Sequence, residues 1–198
     1  MIRAIFFDFY SVWTPDKMSY YLALAQQNGP ETYKEMTDLV ESYYHGKIDI
    51  LQLADTLRVR LGHNDITDKI FYLDERNISP EIVNFMRDLH AHFLKLGVLA
   101  DLGVQELKLL NEFNEHNQVL EVIASPLSFR LDVPLMSKEV FAQALNTIGE
   151  PLSNCLMVSG NIQLLAYARL LGMGTIQFEG FSKLKLSIDK LVEQDMPK

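Results

Sequence analysis

The chain has 198 residues, 48% of them hydrophobic and 22% charged, which suits a full apolar core and excludes a disordered chain. With 18 lysines and arginines against 26 aspartates and glutamates, the formal charge of −8 leaves no basic face for nucleic acid or an anionic membrane. The single cysteine, Cys155, excludes an internal disulfide and reads as a buried thiol in an apolar strand. No apolar stretch is long enough to span a bilayer, and Met1-Ile2-Arg3 runs straight into a strand rather than a signal peptide. The expected compartment is the cytoplasm.

The run Ala4-Ile5-Phe6-Phe7, ending in Asp8, predicts a buried central strand of a parallel sheet covered on both faces. Asp8 then stands at the carboxyl end of that strand, where open α/β sheets keep their ligand crevice. The alternative role for Asp8 is simply to terminate the strand. Thr14-Pro15-Asp16 breaks the strand, and helical spacings follow. Met18, Tyr21, Leu22 and Ala25 mark one helix, stopped by Asn28-Gly29-Pro30. Tyr33, Met36, Leu39, Val40, Tyr43 and Tyr44 mark a second, closed near His45-Gly46. Ile50, Leu53, Ala54, Leu57 and Leu61 mark a third, and a short fourth helix is expected from Asn64 to Asn77.

From Ser79-Pro80 onwards strands and helices alternate. Ile82, Val83, Phe85, Met86 and Leu89 line a helix, and Leu96 to Ala100 a strand ending in Asp101. Leu107, Leu110 and Phe113 lie on the next helix, Val119 to Ala124 on a third strand, and Phe141, Ala144, Leu145 and Ile148 on a further helix. Cys155 to Val158 is a fourth strand, turning through Ser159-Gly160-Asn161 into a helix with Leu165, Ala168 and Leu171. Thr175 to Phe178 and an amphipathic helix from Phe181 to Glu193 close the pattern. Such alternation predicts a doubly wound sheet.

A first strand ending in aspartate, a helical insertion with a Gly46-Lys47-Ile48 turn, and a late Ser159-Gly160-Asn161 turn before Ala168-Arg169-Leu170-Leu171-Gly172-Met173 together resemble the haloacid dehalogenase (HAD) superfamily. The resemblance covers nearly the whole chain. It implies a three-layer, Rossmann-like α/β core from residues 1–13 and 79–198, with residues 14–78 as a helical cap after the first strand.

In that family the first-strand aspartate is a nucleophile, and Asp8 matches its place. Phosphatases carry a second aspartate two residues on, as general acid. Tyr10 stands there, as it does in the haloacid dehalogenases, whose halide leaving group needs no proton. Ser11-Val12 replace the usual glycine and threonine. The second motif, a Ser or Thr followed by Asn that binds the transferred group, falls on Ala100-Asp101. A lost hydroxyl and an added negative charge make a poor anion site. Asp101 either caps the following helix or receives a basic ligand.

The third motif, a lysine before Pro-Asp-Pro, falls on Leu135-Met136. Lys138 is the nearest cation; it either approaches Asp8 through a shifted loop or lies in solvent, as lysines mostly do. Arg130 is a second candidate. The fourth motif supplies the magnesium carboxylates. It falls on Ser159-Gly160, with Leu164 at the further acid place, so both carboxylates are gone. Asp8, the Tyr10 carbonyl and Asn161 are a meagre set for an octahedral ion.

The resemblance therefore implies catalytic positions at Asp8, Tyr10 and Lys138, ligand contacts at Ala100, Asp101 and Asn161, and no metal site. Magnesium is not expected as a cofactor. The histidines, His45, His63, His90, His92 and His116, show no metal spacing. Trp13, Tyr20, Tyr21, Tyr43 and Tyr44 are expected to pack core against cap. The expected function is a HAD-like binding or regulatory module without metal-dependent chemistry. It would meet a small molecule in the core–cap cleft or a protein partner, a homodimer included. The alternative is a metal-independent, dehalogenase-like hydrolase using Asp8.

Overall fold

The computed structural model describes residues 1–13, 17–66, 80–92, 94–100, 102, 104–124 and 138–195. Five parallel strands form one sheet in the order β3-β2-β1-β4-β5: β1 Ala4–Asp8, β2 Lys95–Leu99, β3 Val122–Ala124, β4 Cys155–Ser159 and β5 Gly174–Gln177. Every residue of β1 is buried, because strands flank it and helices cover both of its faces. Its side chains alternate between two apolar clusters, as the two-residue repeat of a strand requires. Ile5 and Phe7 join residues of helices α4 (Pro80–Ala91), α5 (Val104–Asn117) and, near the C-terminus, Leu184 and Ile188. Ala4 and Phe6 join residues of α6 (Lys138–Ile148) and α7 (Ile162–Leu170) on the other face. Helix α8 (Phe181–Asp195) carries Leu184 and Ile188. The architecture is three-layered, as the alternation predicts.

Between β1 and α4 the chain forms α1 (Lys17–Gln27), α2 (Pro30–Tyr44) and α3 (Ile50–Leu61), which enclose an apolar cluster of their own. Met36, Leu53 and Leu57 are its fully buried centre. Asp49 starts α3 with a capping box: its carboxylate accepts from the Gln52 amide, and the Gln52 side chain accepts from the Asp49 amide. Gly62 ends the helix at φ 70°, a left-handed conformation that an L side chain rarely takes. Of the short helix expected from Asn64 to Asn77, residues 64–66 form a turn with Ile66 buried; the remainder, like the expected cap limits at 14 and 78, lies outside the described residues.

Two expectations need correction. The third strand begins at Val122, not Val119. The Leu120 amide donates to Asn114 Oδ1 and its carbonyl accepts from Asn114 Nδ2, both at 2.9 Å, so a side chain rather than a neighbouring strand satisfies this backbone. Tyr20 is 57% exposed, its ring edge-on to Tyr21; Trp13 is buried in the sheet's own cluster and Tyr21 in the insertion's, while Tyr43 reaches from the insertion to Glu106. Gly97 has a packing reason that periodicity does not reveal: a Cβ there would stand 2.4 Å from Val122 Cγ1 and 2.6 Å from Phe6 Cδ1.

Candidate functional site

Asp8 ends β1 at the carboxyl edge of the sheet, with only 6% of its surface exposed. The chain then winds through a π-helical turn, Phe9–Trp13, a rare geometry that often accompanies functional sites. The turn folds Ser11 back over Asp8, and the Ser11 hydroxyl donates to Asp8 Oδ2 at 2.8 Å. The next strand, β4, ends beside β1 because both run parallel in adjacent positions, with Phe7 opposite Val158. Its last residue, Ser159, is fully buried and donates to the same Asp8 oxygen at 2.5 Å. Short O–H···O contacts of this kind mark a charge-assisted hydrogen bond.

The two serines are themselves held by backbone donors. The Gly160 amide donates to Ser11 Oγ and the Asn161 amide to Ser159 Oγ, each at 2.8 Å. Asn161 caps α7, its Oδ1 accepting from Gln163 and Leu164 amides at 2.9 and 3.2 Å. A Cβ at Gly160 would lie 3.0 Å from Ser11 Cβ, so the turn is closed tightly over the π-helical turn. Leu164 is buried in the apolar cluster beneath α6 and α7.

Tyr10 interacts with Tyr43 and Tyr44 of α2 and with Glu106. The side chain keeps some surface, but its phenol end is enclosed and shares a hydrogen bond with the Tyr44 side chain. Burial, aided by the nearby Tyr44, Glu106 and Tyr43, pushes its pKa well above the usual tyrosine value. Beside it, Glu106 lies in the first turn of α5 and is 3% exposed. The Tyr43 hydroxyl, from α2, stands 2.5 Å from both Glu106 oxygens. Burial raises the Glu106 pKa, and the Tyr43 hydrogen bond offsets only part of that rise.

The positions singled out in the sequence are therefore partly gathered. Asp8 and the Asn161 backbone meet through Ser159, while the Asn161 side chain is spent on its helix. Ala100 is buried just beyond β2, and Lys138 is exposed at the start of α6. Asp101, Arg130, Leu135 and Met136 lie outside the described residues. Sequence reasoning missed Ser159 and Glu106 as partners. A hydroxyl at the end of the strand beside β1 was the available signal for Ser159. Glu106 had none, since a carboxylate in a first helical turn is commonplace.

Among the described residues no three of His, Cys, Asp and Glu stand together as a metal-holding group. Among them, too, no helix is long and apolar enough to cross a membrane. Cys155 is buried, and burial pushes its thiol up to about 11.

No protein-family model matches the sequence, and no curated protein sequence does. Solved structures do match over nearly the full chain. A predicted HAD-like family hydrolase from Porphyromonas gingivalis superposes with a TM-score of 0.65 at 16% identity, covering 97% of this chain and 98% of that one. A HAD family enzyme from Bacteroides thetaiotaomicron gives 0.62 at 16% identity, covering 93% and 98%. An L-2-haloacid dehalogenase gives 0.53 at 20% identity, covering 90% and 86%. With its five-stranded parallel sheet and a helical insertion after the first strand, this chain has the HAD-like hydrolase fold.

Proposed function

We propose that this chain is a HAD-fold binding or regulatory module, non-catalytic or weakly active, in which Asp8 is a structural residue. The supporting observation is the occupancy of Asp8 Oδ2 by the hydroxyls of Ser159 and Ser11. These two donors make the carboxylate a junction between β1, the turn after it and the end of β4, which is the work of a structural residue. The residues present also fit magnesium poorly. This ion favours octahedral oxygen ligands backed by carboxylates, whereas Gly160 offers no side chain and Leu164 is apolar and buried. The occupant of the cleft between insertion and sheet would be a small molecule or a segment of a protein partner.

A second reading is a metal-independent hydrolase of the dehalogenase kind. It is favoured by Tyr10 at the general-acid place and by the likeness to an L-2-haloacid dehalogenase. The two readings separate in one assay series. Purified protein is offered p-nitrophenyl phosphate with and without magnesium, and short 2-haloacids without metal, with Asp8→Asn as control. Turnover no faster than the control supports the first reading. Haloacid turnover lost in Asp8→Asn replaces it with the second, and magnesium-stimulated phosphate release that Asp8→Asn abolishes overturns both.

A further inference from the structure

Helices α1 and α2 of the insertion are joined by Asn28-Gly29-Pro30, and of the chain's asparagines only Asn28 precedes a glycine. Asn28 is exposed, just past Gln27 at the end of α1. Its own amide is anchored, donating to the Leu24 and Ala25 carbonyls at 3.2 and 3.1 Å. Gly29 stands in open space. Its φ is 115°, and a Cβ built on it would meet nothing within 4 Å. The Gly29 amide donates to the Gln26 carbonyl at 3.2 Å, the long end of the usual range.

We propose that Asn28 is a self-modifying site, at which the Gly29 amide nitrogen attacks the Asn28 side-chain carbonyl and converts this asparagine to isoaspartate and aspartate. The Gly29 nitrogen gives its proton to solvent and bonds to Asn28 Cγ, closing a succinimide. The Cγ–Nδ2 bond breaks, and ammonia leaves. Water then opens the ring: addition at the main-chain carbonyl leaves isoaspartate, and addition at Cγ leaves aspartate. A β-carbon on the following residue crowds this closure, and Gly29 has none. Closure gives up the bond from Gly29 to Gln26. The first bond of α2, from the Tyr33 amide to the Gly29 carbonyl at 3.0 Å, uses an oxygen that the reaction leaves alone. Helix α2 therefore survives the change. Its N-cap, Gly29, has no side chain to offer the helix, and a new carboxylate beside it suits the positive end of the dipole. The insertion thus acquires a slow, one-way acidic form.

The test holds the native full chain in mildly alkaline buffer and follows every asparagine by peptide mapping and mass spectrometry. A parallel sample is unfolded in denaturant at the same pH. Asn28 is expected to lose ammonia in the native protein as fast as in the unfolded one, giving two chromatographically separate products of equal mass. Asn84 and Asn146, inside helices α4 and α6, serve as internal controls and should stay intact. Asn28→Gln, whose longer side chain disfavours ring closure, should abolish the change. An Asn28 that persists in the native protein while the unfolded chain converts overturns the proposal. So does conversion of Asn84 or Asn146 at the same rate, or aspartate as the sole product, which would mean direct hydrolysis without the ring. The wild-type products decide even should Asn28→Gln not fold.

Discussion

Ser159 Oγ donates to Asp8 Oδ2 across 2.5 Å, tying the ends of two adjacent parallel strands through side chains 151 positions apart. Ser11 completes the arrangement from the π-helical turn at 2.8 Å, and its own oxygen accepts from the Gly160 amide. β1, the turn after it and the turn after β4 are thus joined at one carboxylate.

Ser159→Ala should therefore destabilise the fold, by about 1.5–3 kcal/mol for a hydrogen bond to a charged group. Asp8→Asn should cost less, because an amide oxygen still accepts from both hydroxyls. Chemical denaturation of the two variants checks the order. A Ser159→Ala protein as stable as wild type would remove the structural reading of Asp8.

Restoring a side chain at position 160 should be costly while Ser11 is present. A Cβ there meets Ser11 Cβ at 3.0 Å, so Gly160→Ala should lose about 1–3 kcal/mol, the usual range for overpacking. In a Ser11→Gly background the neighbouring Cβ is gone and the added loss should shrink. Equal losses in both backgrounds, measured by thermal denaturation, would place the strain elsewhere.

Glu106 gives the fold a pH dependence whose sign follows from its raised pKa. The folded state holds this proton more tightly than the unfolded chain, so its contribution is complete below the ordinary value of 4.5. It is lost as pH rises through the higher folded value. Glu106→Gln should therefore gain stability over wild type near neutrality, and the gain should vanish on acidification. Melting curves of both proteins across that range provide the check.

Cys155 should behave as a buried, protonated thiol. Burial raises it from 9.0 to about 11, and its sulfur donates to the Pro151 carbonyl at 3.3 Å. Thiolate, not thiol, is the reactive form. A disulfide reagent at pH 8 should leave the native protein unlabelled and label it fully once denatured. The raised value also means that this stabilisation is complete below pH 9.0 and declines as pH climbs towards about 11.

Most of the fold was legible because its signals are local. The unbroken apolar run Ala4 to Phe7 and the helical spacing of Met36, Val40 and Tyr43 report burial directly through the repeats of strand and helix. Local pattern extends the third strand back to Val119 because Val119 and Leu120 are as buried as strand residues, while the Asn114 side chain that satisfies Leu120 lies on the preceding helix. The packing reason for Gly97 leaves no local signal, since the ring and methyl that exclude a Cβ come from β1 and β3.

The candidate site divides along the same line. By itself, the sequence determined that Asp8 ends a buried first strand and that Gly160 and Leu164 cannot supply carboxylates, because both follow from residue identity and local pattern. Only the tertiary structure decided what Asp8 touches. Placing β4 beside β1 depends on the order in which distant strands pair, and that order brings Ser159 to the carboxylate. Only packing, likewise, could set Tyr43 of the insertion on Glu106 of α5, for burial between elements far apart in the chain leaves no periodic trace in either one.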